Sequence, residues 1–101
     1  MIKYSFVKIE NKIEKVEIRG HALYSFKGND IVCASVSSVI IFILNAIEIF
    51  ELKTKITFDL KEGYFFLKIL KFDDIINKLL SNLEYTLKNL NKTYPKNLKE
   101  I

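Results

Sequence analysis

Seventeen consecutive positions, Ile31 to Ile47, carry no charge. This stretch, which includes the run Val39-Ile40-Ile41-Phe42-Ile43-Leu44, constrains the fold more than any other feature. A membrane-crossing helix needs about 20 predominantly apolar residues. This one stops short at Glu48 and is interrupted by Ser35, Ser37, Ser38 and Asn45. It therefore reads as a core helix rather than a membrane span. A helix apolar on all sides is satisfied when a sheet covers one side and a second helix or subunit covers another.

The flanking segments supply a sheet. Residues 2–9 alternate, with Ile2, Tyr4 and Phe6 set against Lys3 and Ser5, and such two-residue periodicity is the mark of a strand. Asn11-Lys12 reads as a turn. Residues 13–19 form a second strand, with Val16 and Ile18 on one face and Glu17 and Arg19 on the other, and Gly20 ends it. Further on, Ile56, Phe58 and Leu60 point inward between Lys55, Thr57, Asp59 and Lys61. Glu62-Gly63 turns the chain, and residues 64–70 return as the hairpin partner. Asp73 or Asp74 caps a last helix whose stripe is Ile75, Ile76, Leu79, Leu80, Leu83, Leu87 and Leu90, with Pro95 beyond its end.

The order ββαββα predicts an α+β fold: a two-layer sandwich of an antiparallel four-stranded sheet and two helices. At 101 residues the chain fits one domain, 1–101. Few strands and a very apolar first helix leave apolar surface without cover, which predicts a homodimer.

The net charge of +4 is a mild basic excess that steers the protein toward anionic partners without selecting one. The lysines are interspersed with acids except in the tail, Lys88 to Lys99, which a solvated helix end explains as well as a binding patch does. One cysteine excludes an intrachain disulfide. Met1-Ile2-Lys3-Tyr4 reads directly as a strand rather than a signal peptide, so a reduced, cytoplasmic setting is expected.

The chain holds a single His and a single Cys, His21 and Cys33. His21 follows the second strand. Cys33 falls in the first helical turn, three residues after Asp30, which reads as the N-cap. Helix N-termini offer backbone N–H groups and partial positive charge. Both favour a thiolate, so the Cys33 pKa is expected to fall there. A neighbouring histidine would take the thiol proton and later return it to a leaving amine. Spacing alone favours the plain reading: a small apolar core cysteine and a surface or capping histidine. Asp30 either caps the helix or orients His21 as the third member of a triad. Ser37, one turn beyond Cys33, either hydrogen-bonds near the site or bonds back to the Cys33 carbonyl.

Other chemistries lack their residues. One Cys and one His fall short of a zinc site, so no metal and no cofactor is expected. Glycines at 20, 28 and 63 make neither a phosphate loop nor a dinucleotide fingerprint. Tyr64, Phe65 and Phe66 on one strand hint only weakly at an RNA-binding sheet.

The residues Gly20-His21-Ala22, then Gly28, then Asp30-Ile31-Val32-Cys33-Ala34 with Ser37 one turn later resemble the signature of the ribosomal-processing cysteine proteases, the Prp family. The motif is dense over about eighteen residues. Length and element order agree with the family across essentially the whole chain.

This resemblance implies a cysteine endopeptidase of ribosome biogenesis. It would remove a short N-terminal extension from a large-subunit ribosomal protein (number twenty-seven in the usual naming). Cys33 would be the nucleophile and His21 the general base. Gly20, Ala22, Gly28 and Ser37 would support the site or bind substrate, and residues 22–29 would form a flap over the peptide. The resemblance also implies a homodimer, with no membrane partner and no requirement for nucleic acid. Where relatives carry small residues after His-Ala, this chain has Leu23-Tyr24-Ser25-Phe26-Lys27, a difference in the flap rather than the dyad. The alternative is a non-catalytic, ribosome-associated binding module indifferent to Cys33.

Overall fold

The computed structural model describes residues 1–20 and 31–101. Along the chain come β1 (Ile2–Ile9), β2 (Lys12–Gly20), α1 (Ile31–Ile49), a 3-10 turn at Lys53–Lys55, β3 (Ile56–Lys61), β4 (Tyr64–Ile69), α2 (Asp74–Thr93) and β5 (Leu98–Glu100). The α+β class and the ββαββα order stand as expected. The sheet has five strands rather than four, in the order β3-β4-β2-β1-β5.

The fifth strand is a correction to the expected antiparallel sheet. β5 lies parallel to β1, pairing Leu98 with Ile2, so the sheet is mixed. Three residues after Pro95 are too few to show an alternation in sequence. Burial of Leu98 and two backbone bonds secure them: Ile2 N–H donates to the Asn97 carbonyl at 2.9 Å, and Ile101 N–H to the Tyr4 carbonyl at 2.8 Å.

The first turn sits one residue earlier than expected. Ile9 pairs with Lys12, so Glu10 and Asn11 form the two-residue loop, both at positive φ (53° and 66°), the geometry whose twist matches a hairpin. A bulge between Val7 and Lys8 sets β1 against β2. The two hairpins join through β2 and β4, where Ile18 faces Phe65 and Val16 faces Leu67.

Both helices lie on one face of this sheet. α2 buries Ile76, Leu80, Leu83 and Leu87, while Ile75 remains exposed. Asp73 caps it, accepting from Ile75 N–H at 2.9 Å and Ile76 N–H at 3.1 Å, and pairs with Lys55 at 2.9 Å. The α1 contribution is narrower: Val32, Val36, Ile40, Ile43 and Ile47 are buried, whereas Ile41, Phe42, Ile49 and Phe50 face outward. α1 is long and apolar enough to cross a membrane by length and composition, but a full stripe of it belongs to the core. α2 packs against α1 and supplies part of the expected cover, and Ile41, Phe42, Ile49 and Phe50 stay outside it.

The inward face of β3 is a further departure. Ile56 is buried, but Phe58 and Leu60 stay 40% and 43% exposed. They pair with buried Leu67 and Phe65 and so share the helix-side face. β3 is an edge strand, and α1 does not close over it.

Candidate active site

α1 starts at Ile31, which puts Cys33 in its first turn. The Cys33 side chain is half-buried and packs against the core. It opens onto a cavity of about 260 Å³, whose walls include Gly20 at the end of β2, Ser37 on α1, and Leu60, Gly63 and Tyr64 around the β3–β4 turn. Three chain segments distant in sequence therefore meet at the helix N-terminus.

Gly20 is required by the backbone. Its φ is +100°, a region side-chain-bearing residues rarely adopt, and a Cβ there would run into the Met1 carbonyl oxygen. Its N–H donates to the Gly63 carbonyl at 2.8 Å, fastening the end of β2 to the β3–β4 turn. Gly63, at φ 74°, lets that turn close.

His21, Ala22, Gly28 and Asp30, together with the flap expected at 22–29, lie outside the described residues. The described chain stops at Gly20 and resumes at Ile31. Gly20 and Cys33 line the same cavity.

Ser37 lines that cavity too. The back-bonding serine of this helix is Ser35, whose hydroxyl donates to the Ile31 carbonyl at 2.7 Å. Sequence reasoning missed Leu60, Gly63 and Tyr64 as cavity walls. The Glu62-Gly63 turn was visible as a turn, but its approach to Gly20 depends on the pairing of β2 with β4, which only tertiary packing sets.

A second groove of about 230 Å³ runs between α1 and β3, walled by Ile41, Leu44, Ile47, Ile56, Phe58 and Leu60. Leu60 borders both cavities. Among the described residues, no group of three His, Cys, Asp or Glu could hold a metal ion. A cysteine at a helix N-terminus beside an apolar cleft can attack a carbonyl, with backbone N–H groups placed to hold the resulting oxyanion.

The family model of the cysteine protease Prp matches residues 1–99. Among solved structures, an essential ribosomal processing protease Prp from Staphylococcus aureus, carrying a covalently linked product peptide, superposes with a TM-score of 0.87. Its identity is 27%, over 99% of this chain and 97% of that one. The same S. aureus protease with a substrate peptide gives a TM-score of 0.80 at 26% identity, over 100% and 98%. SMU.848 from Streptococcus mutans gives 0.76 at 27% identity, over 99% and 91%. No curated protein sequence matches the chain significantly.

Proposed function

The chain belongs to the Prp family of ribosomal-processing cysteine proteases, and on that premise we propose that residues 1–101 form one protease domain in which Cys33 is the nucleophile and His21 the general base. The observation that carries the assignment is the cavity at the start of α1, bounded by Cys33 and by Gly20, the residue directly before His21.

His21 takes the Cys33 thiol proton as Sγ attacks the scissile carbonyl, and N–H groups of the first α1 turn hold the oxyanion. The C–N bond breaks, the departing amine takes the proton from His21, and a thioester remains. Water then loses a proton to His21 and attacks the thioester. The C–S bond breaks, freeing the carboxylic acid and returning the proton to sulfur. Asp30 caps α1 or orients His21. Gly20, Ala22, Gly28 and Ser37 support the site or bind substrate.

The substrate is the N-terminal extension of a large-subunit ribosomal protein, an apolar, aromatic-containing segment suited to walls such as Ile18, Leu60 and Phe65. The protein acts in the reducing cytoplasm. Two copies associate through the outward apolar side of α1, where Phe42 is 66% and Ile49 77% exposed.

The test is cleavage of a peptide copying that extension. Wild type cuts one bond under reducing conditions, and Cys33→Ala and His21→Ala, folded to the same extent, lower kcat by roughly a thousandfold or more. An unaltered rate in either variant overturns the dyad.

A further inference from the structure

The sheet face opposite the helices carries a charge pattern that proteolysis does not use. Strand register sets its outward residues in rows. The first row runs Lys99, Lys3, Arg19, Tyr64, Lys61 across all five strands. The second holds Ser5, Glu17, Phe66 and Asp59, and the third Val7, Lys15, Lys68 and Thr57. No described element covers this face.

Like charges directly opposite one another destabilise a sheet. Here Lys3 faces both Lys99 and Arg19, and Lys15 faces Lys68. Within the described residues none of these five cations forms an ion pair. Lys61, the sixth, meets Asp59 at 3.8 Å and lies over the Tyr64 ring at 5.4 Å. The only acids in the three rows are Glu17 and Asp59, on either side of Phe66. A sheet that keeps repelling pairs on an open face gives up stability, and an anionic partner would recover it.

We propose that this face binds single-stranded RNA. Adjacent rows lie roughly 6.7 Å apart, two residues along a strand, and neighbouring strands about 4.8 Å apart. Phosphates lie along the cationic rows. Unpaired bases stack on Tyr64 and Phe66, half-buried rings side by side on β4. Glu17 and Asp59 lie at the level of the bases, where carboxylates accept from exocyclic amino groups. An anionic membrane or an acidic protein would account for the cations but leave the two rings and the acidic row between the cations unexplained.

The experiment is fluorescence anisotropy of the full chain with a labelled mixed-sequence single-stranded RNA, titrated at several salt concentrations. Wild type binds, and log K falls linearly with log salt. In Lys3→Gln/Arg19→Gln/Lys99→Gln, the magnitude of that slope drops by roughly 2, near 0.7 per lost phosphate contact. Phe66→Leu, which keeps an apolar residue but removes the ring, weakens binding roughly fivefold or more. The triple variant keeps or raises its melting temperature because it loses a repulsion, which separates lost binding from lost folding. A control removing equal charge from α2, Lys78→Gln/Lys88→Gln/Lys92→Gln, leaves the slope nearly unchanged. The proposal is overturned if wild type fails to bind, if the control weakens binding as much as the triple variant, or if duplex RNA, polyglutamate or anionic vesicles bind more tightly than the single strand.

Discussion

The Gly20 amide donates to the Gly63 carbonyl at 2.8 Å, and this bond joins the end of β2 to the β3–β4 turn at the rim of the cavity that holds Cys33. Gly20 is held at φ +100° against the Met1 carbonyl. Gly20→Ala therefore forces either a strained backbone or a displaced β1. The expected cost is about 1–3 kcal/mol of stability, with peptide cleavage falling roughly tenfold or more. Thermal melts beside cleavage rates check it. An unaffected rate would mean that the exit of β2 does not set the position of His21.

Much of this was legible in the sequence because burial and period coincide there. Ile2, Tyr4, Val16 and Ile18 are all buried as their alternation requires, and the α2 stripe reaches the core at Ile76, Leu80, Leu83 and Leu87. Cys33 in a first helical turn followed from Asp30 and the apolar run after it. Period failed where it carries no information about neighbours. Phe58 and Leu60 alternate properly yet stay exposed, since nothing local says that β3 is an edge beyond the reach of α1. β5 is too short to have a period. The contribution of Leu60, Gly63 and Tyr64 to the cavity depends on which strands pair, a long-range outcome.

Leu60 borders both the Cys33 cavity and the groove between α1 and β3, so a polar group there should disturb peptide binding more than folding. Leu60→Asn is expected to raise KM severalfold for an apolar substrate peptide while leaving kcat within about twofold, since the interaction is made equally in ground and transition states. At 43% exposure its stability cost stays below about 1 kcal/mol. A fall in kcat with KM unchanged would contradict this role.

The outward residues of α1 make a separate prediction. Phe42→Glu/Ile49→Glu places charges on a face that contributes nothing to the core of one subunit. Light scattering after size-exclusion chromatography should show wild type as a dimer and the double variant as a monomer with an unchanged circular dichroism spectrum. A dimer that survives both charges would place the interface elsewhere.

The last prediction concerns the acid limit of stability. The Asp73 carboxylate accepts from the Lys55 ammonium and from the Ile76 and Ile75 amides, and these bonds hold its pKa below the ordinary carboxylate value, against a smaller opposing effect of burial. A carboxyl lowered on folding favours the native state wherever the unfolded chain would also be ionised, and that contribution is lost as the pH falls from the ordinary value, near 3.9, toward the lowered one. Asp73→Asn retains a good N-cap and removes only the charge and its bond to Lys55. Its melting temperature should therefore lie below that of wild type at pH 7, and the gap should close as the pH drops past about 4. A gap that persists unchanged at pH 3 would mean that side-chain shape at the cap, rather than the charge meeting Lys55, sets the contribution of Asp73 to the start of α2.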